Sequence, residues 1–165
     1  MRGGSCWEAR EAVSAVPIPQ LHYRRMRTSD LADVARLEKS LYAFPWSLGN
    51  FRDSITAGYD CWTVAHGETV IGYAVLMIAL DEAHLLNVAI ASEWQNQGVG
   101  RAFLGHMIET ARGAGCQIVY LEVRPSNIQA RHLYRTIGFQ QIAIRPDYYP
   151  ALDGREDALF LGLTL

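Results

Sequence analysis

One stretch of this chain has the residue types and order of an anion cradle: Val88-Ala89-Ile90, then Gln95-Asn96-Gln97-Gly98-Val99-Gly100-Arg101. An apolar strand ends, glycines follow and a helix begins. The first N–H groups of a helix have no partner inside it, and the helix dipole adds positive potential there, so a diphosphate is a natural ligand. Glycine lets an anion approach the backbone, and Arg101 places a permanent cation in the first turn. A plain strand–turn–helix connection uses the same Gly-x-Gly. A dinucleotide fingerprint does not, because it needs glycine at 103, where Phe103 stands. Two titratable residues follow. In Gln117–Arg124 the period of two places Ile118, Tyr120, Glu122 and Arg124 on one face, so Glu122 near the strand end could pair with Arg124 or face a ligand. Tyr134 belongs to an i, i+3, i+4, i+7 stripe with Ala130, Leu133 and Ile137, which also reads as core.

The elements that must position these residues are legible. Leu21–Arg27 reads as a strand. Thr28, Ser29 and Asp30 are possible caps of a helix with Leu31, Val34, Leu37 and Leu41 on one side. Ser47 caps a second helix, with Trp46 and Phe51 as a hydrophobic staple. Cys61–Ala65, Val70–Leu80 and His84–Ile90 are strands, and Val99–Ala114 is a helix ended by glycines. Gln117–Arg124 is a strand, and Asn127–Thr136 a helix stopped by Gly138. Phe139–Ile144 and Ala158–Leu165 are strands joined by a polar loop, Pro146–Asp157. The order βααβββαβαββ predicts one α/β domain over 21–165, with residues 1–20 read as a flexible extension.

Composition excludes several classes. The net charge of −2 argues against a general nucleic-acid binder. Lys39 is the one lysine, so no Gly-Lys-Ser/Thr phosphate loop exists. The apolar run Tyr73–Leu80 is far shorter than the roughly 20 residues of a membrane helix. Cys6, Cys61 and Cys116 are odd in number and scattered, which fits a reducing compartment and the cytoplasm. Cys and His lack zinc spacing, so no metal is expected, and the five dispersed histidines read as structural or exposed.

Gln95-x-x-Gly98-x-Gly100 resembles the (Gln/Arg)-x-x-Gly-x-(Gly/Ala) motif of the GNAT acetyltransferases, in the place where that family holds the diphosphate of acetyl-coenzyme A. Phe44-Pro45-Trp46-Ser47, Leu86-Asn87-Val88-Ala89, Leu121-Glu122-Val123-Arg124 and Tyr148-Tyr149-Pro150 with Asp153-Gly154-Arg155-Glu156-Asp157 narrow the resemblance to the RimI type. It covers Leu21 to the C-terminus. It implies a mixed, mostly antiparallel twisted sheet of seven strands flanked by four helices. It also implies direct acetyl transfer from acetyl-CoA to a protein N-terminal amine, that of small-subunit ribosomal protein number eighteen, with no nucleic-acid or membrane partner; a monomer is consistent. Gln95 and Asn96 replace arginines common in relatives, leaving less positive charge in the loop.

By the same resemblance Glu122 is the general base and Tyr134 the general acid. Val88, Ala89 and Ile90 bind the pantetheine arm and acetyl carbonyl. Asn96, Gln97, Gly98, Val99, Gly100 and Arg101 hold the diphosphate. Asn127, a helix cap by position, also reaches the coenzyme. Trp46, Tyr149 and Asp153 build the peptide wall. The rivals are a GNAT enzyme acting on lysine side chains or small amines, and a coenzyme A-binding regulatory module without turnover.

Overall fold

The computed structural model describes residues 20–165; the extension expected before Gln20, and Cys6 within it, lie outside them. The strands are β1 (Leu21–Arg25), β2 (Asp60–His66), β3 (Thr69–Ala79), β4 (Glu82–Ile90), β5 (Ile118–Val123), β6 (Gln140–Ala151) and β7 (Gly154–Thr164). The helices are α1 (Leu31–Leu41), α2 (Leu48–Thr56), α3 (Val99–Gly113) and α4 (Ile128–Ile137). One sheet runs in the order β1-β2-β3-β4-β5-β7-β6. Its β4–β5 pair is parallel and the other pairs are antiparallel. The element order and fold class are those expected from the sequence.

Local chemistry explains the helix ends. Ser47 Oγ accepts from the Asn50 N–H at 3.2 Å, and Asn50 Oδ1 accepts from the Ser47 N–H at 2.8 Å, a reciprocal cap of α2. Trp46 and Phe51 close over it with ring centroids 5.4 Å apart. Asp30 precedes α1 but spends its carboxylate elsewhere, on the Arg24 guanidinium and the Arg27 N–H. Hydrogen bonding from Arg24 holds the Asp30 carboxyl below the usual range.

The sheet carries a core on each face. On one, α3 and α4 cover Leu85, Val119 and Leu121 with Phe103, Leu104, Met107 and Tyr134. On the other, α1 and α2 cover β2 and β3, where Val34, Phe51, Tyr73 and Val75 are fully buried. Among the described residues, this second core includes none from β5, β7 or β6.

The central irregularity is where β4 meets β5. Pairing runs from Glu82↔Ile118 to Leu85↔Leu121 and stops. At the same point β4 bulges against β3: Val75 faces Asn87 and Leu76 faces Leu85, so Leu86 is the extra residue. A bulge bends its strand and ends regular pairing. Beyond it β4 and β5 part, and a gap opens in the sheet.

The segment Pro146–Asp157 corrects the sequence reading. It is a hairpin rather than a loop: β6 continues to Ala151, β7 starts at Gly154, and Tyr149↔Glu156, Pro150↔Arg155 and Ala151↔Gly154 are in register. Pro146, Asp147 and Pro150 lie on the exposed edge strand β6, where proline is tolerated and polarity does not oppose pairing, and Arg155, Glu156 and Asp157 lie at the start of β7. The break expected there survives as a register shift between Arg145 and Tyr149, with Asp147 at φ +51° and its N–H held by Asp157.

Gly72 carries a test of this packing. A Cβ there would meet the Ala89 carbonyl oxygen at 2.6 Å and Val64 Cγ1 at 2.8 Å. Gly72→Ala is therefore expected to lower unfolding free energy by about 1–3 kcal/mol, the usual cost of overpacking. Urea denaturation checks this, and an unshifted midpoint would contradict it.

Candidate active site

The gap between β4 and β5 opens into two adjoining clefts. The larger has a volume of about 670 Å³ and the smaller about 360 Å³. Tyr42, Val88, Asn127, Ala130 and Tyr134 line both and form the waist between them.

The smaller cleft lies between the end of β4, the start of α3 and α4. The Ile90 carbonyl accepts from Gln95 Nε2 at 2.9 Å, and Tyr42 Oη lies 3.5 Å from the Val88 carbonyl, so side chains rather than a strand meet this edge of β4. Gln95 thus closes the strand end where an arginine would have added charge. In α3 the Ala102 N–H returns to the Gly98 carbonyl at 3.0 Å, which leaves the N–H groups of Val99, Gly100 and Arg101 without intrahelical partners. Gly98 sits at φ +82°, and nothing lies within 4 Å of where its Cβ would be. That is an open cradle over free N–H groups, and it fits a diphosphate. Asn96 accepts from Gln129 at 2.8 Å and Arg101 donates to the Thr136 hydroxyl, tying the loop to α4. Val99 is buried, so it can offer only its N–H. Gln97 turns back to the Glu93 carbonyl and does not line the cleft. Asn127 caps α4, accepting from the Ala130 N–H at 3.1 Å.

The larger cleft lies between two walls. The α1–α2 connection supplies Tyr42, Phe44 and Trp46, and the β6–β7 hairpin supplies Tyr149 and Pro150. Glu38, 2% exposed, anchors the first wall. It accepts from the Trp46 N–H at 2.8 Å, from the Tyr73 hydroxyl and, at 3.4 Å, from Asn87 Nδ2. Glu156 anchors the second, accepting from the Ser126 N–H at 2.9 Å and from Arg124 Nη1 at 3.1 Å. Hydrogen bonding from Ser126, then from Arg124, holds the Glu156 carboxyl below the usual range. A depressed value means that this tether stabilises the fold above the unfolded pKa and is lost as pH falls through the folded one. Arg124 also lies under the Tyr149 ring, 4.3 Å from its centroid. Asp153 is in the turn at the hairpin tip, and neither cleft includes it.

Glu122 and Tyr134 belong to opposite faces of the sheet, yet both line the larger cleft because the sheet is open there. Arg124 pairs with Glu156 rather than with Glu122. Glu122 Oε2 lies 2.6 Å from His84 Nε2, and Arg145 Nη2 is 3.2 Å from Oε1. That arginine approach is outside hydrogen-bond geometry, so Oε1 is a buried acceptor without a donor. Tyr134 is 7% exposed, with its ring against Phe139. Burial, and after it Tyr42 and Tyr149, push its phenol above the ordinary value, so it holds its proton across the physiological range.

Sequence reasoning missed Glu38, Tyr42, His84 and Arg145. Glu38 left a signal: it falls at i+4 from Val34, a carboxylate on the buried side of α1. His84 and Arg145 left none, because their meeting with Glu122 depends on register between strands distant in sequence.

Comparison with known proteins places this geometry in a family. Residues 29–139 match the acetyltransferase (GNAT) family. The chain is 37% identical over 140 residues to the ribosomal protein bS18-alanine N-acetyltransferase of Escherichia coli strain K12, covering 85% of this chain and 95% of that one. It is 34% identical over 142 residues to the Haemophilus influenzae protein of the same name, covering 86% and 97%. The crystal structure of the ribosomal-protein-S18-alanine N-acetyltransferase from Escherichia coli superposes with a TM-score of 0.82 at 36% identity, covering 88% of this chain and 94% of that one.

Glu38→Ala leaves the buried Tyr73 hydroxyl and Trp46 N–H without their acceptor. A loss of about 1–3 kcal/mol is expected for such orphaned groups, read as a lower thermal midpoint. Glu38→Gln, which keeps one acceptor oxygen, should lose less. Equal midpoints for wild type and Glu38→Ala would contradict the anchor.

Proposed function

The chain belongs to the acetyltransferase (GNAT) family and is an acetyl-CoA-dependent N-acetyltransferase, and from that premise we propose that it acetylates the N-terminal amine of small-subunit ribosomal protein bS18, with Glu122 as general base and Tyr134 as general acid. The observation that carries the proposal is the juxtaposition of a buried carboxylate and a buried phenol from opposite faces of the sheet in one cleft. Similarity to bS18-alanine N-acetyltransferases over 85% of the chain supports the substrate. This substrate sets the reaction in the cytoplasm.

Acetyl-CoA supplies the acetyl group. The free N–H groups of Val99, Gly100 and Arg101 would hold its diphosphate, with the Arg101 guanidinium and the Asn96 side chain beside them. The open edge at Val88–Ile90 and the Asn127 side chain would take its arm. Trp46 and Tyr149 would flank the acceptor peptide. Asp153, at the hairpin tip, would meet only residues farther along it.

At pH 7 only about a tenth of an α-amine is neutral, given its pKa near 8, and a positioned base is worth roughly 10²–10⁴ in rate. Glu122 Oε1 is a buried oxygen lacking a donor, and an amine proton, direct or through one water, would supply it. Tyr134, kept protonated by burial, has its Oη proton available for the departing thiolate. The same low-dielectric surroundings raise the proton affinity of that thiolate.

Intact-mass assays with acetyl-CoA should show one acetyl group added to a peptide with the bS18 N-terminus, ahead of lysine peptides, polyamines and aminoglycosides. Preference for one of those acceptors would give the site a different substrate, and tight coenzyme binding without any product would make the protein a regulatory module. Glu122→Gln should cut kcat by about 10²-fold or more and flatten the acidic limb of the pH–rate profile. Tyr134→Phe should keep the thermal midpoint and lose turnover. An unchanged profile in the first, or full turnover in the second, removes that residue from its role.

A further inference from the structure

We propose that His84 is a positioning residue for Glu122: its Nε2–H holds Oε2 and leaves Oε1 as the oxygen that receives the amine proton. The inference rests on the reading of Glu122 as base. His84 lies on β4 in register with Tyr120 on β5, one position before the last paired residues, Leu85 and Leu121. Glu122 is the first β5 residue beyond that pair. The contact between His84 and Glu122, 2.6 Å long, therefore reaches diagonally across the fork where the strands part. Cross-strand neighbours on one face are within reach of long side chains. No backbone pairing with β4 steadies Glu122 beyond the fork, and the imidazole supplies the missing cross-link.

The surroundings separate the two carboxylate oxygens. Oε2 has the imidazole. Oε1 is buried without a hydrogen-bond donor, although Arg145 Nη2 stands 3.2 Å away. Arg145 comes from the edge strand β6, has a side chain 45% exposed and lies over the Phe160 ring at 4.6 Å. His84 is 21% exposed and Glu122 8%, so the His84–Glu122 pair is the more enclosed contact. The other polar groups around this cluster are Glu82 on β4, Tyr120 and Arg124 on β5, and the Tyr148 and Tyr149 phenols on β6. Arg124 is engaged by Glu156, and both phenols are raised first by burial and then by the Glu122 charge.

The proton step balances on Oε1. The N–H bond of the ammonium breaks, its electron pair stays on nitrogen, and an O–H bond forms at Oε1 while His84 keeps Oε2 occupied. His84 donates through Nε2 whether neutral or cationic.

Steady-state kinetics on wild type, His84→Leu and His84→Gln test the assignment. His84→Leu should lower kcat by about tenfold or more, as expected when a hydrogen bond to a charged group is lost. The KM for acetyl-CoA should stay unchanged. His84→Gln retains an N–H of similar reach. It should recover most of the rate, with the KM for acetyl-CoA again unchanged. A His84→Leu enzyme with wild-type kcat overturns the proposal, as does equal loss in both variants. If His84→Leu does not fold, His84→Ala takes its place, and a wild-type kcat there overturns the proposal. Glu122→Gln separates the levels: unimpaired, it removes the base and His84 with it; impaired beside a normal His84→Leu, it removes His84 alone.

Discussion

The site depends on one constraint: β4 and β5 are hydrogen-bonded to each other over only four residue pairs, Glu82–Leu85 with Ile118–Leu121. In a continuous sheet Glu122 and Tyr134 would be separated by the sheet itself. The bulge at Leu86 ends the pairing, and the gap lets a side chain from each face reach the same space. The same divergence strips β4 of a neighbour along Val88–Ile90, leaving backbone polar groups beside the cleft that Tyr42 and Gln95 only partly occupy. Buried backbone groups are almost always paired, so an edge open toward a cavity points to a ligand that pairs it.

Two buried or half-buried carboxylates hold the walls in place. Glu38 gathers donors from the α1–α2 connection, β3 and β4 into a point 2% exposed. Glu156 ties the hairpin to the β5–α4 turn through Ser126 and Arg124. Both line the larger cleft, but their oxygens are taken up by these donors. Their work is to fix the distance between walls that bear Trp46 and Tyr149 on separate elements. A cleft whose sides come from connections and a hairpin needs such anchors, because loops and edge strands otherwise open at low cost.

Much of this was legible in the residues. Helix caps, staples and glycine stops depend on neighbours in sequence, so Ser47, Asn127 and Gly138 ended or began helices where their types predict. The alternation of β5 correctly placed Glu122 opposite Val119 and Leu121. What was not legible is pairing at long range. Arg124 has the right spacing for Glu122, yet it meets Glu156 from another strand, and Glu122 meets His84 and Arg145 instead. The hairpin was hidden for a related reason. An edge strand facing solvent on both sides has no hydrophobic alternation to report it, and β6 is exposed along most of its length.

The central claim is that the fork between β4 and β5 is where acetyl-CoA and a protein amine meet. A crystal structure with a conjugate of coenzyme A and the bS18 N-terminal peptide tests it most directly. The account predicts the diphosphate on the N–H groups of Val99, Gly100 and Arg101, the arm paired with Val88–Ile90, and the amine nitrogen within one water of Glu122 Oε1. An arm that leaves the β4 edge unpaired, or an amine beyond that reach of Glu122, would contradict it.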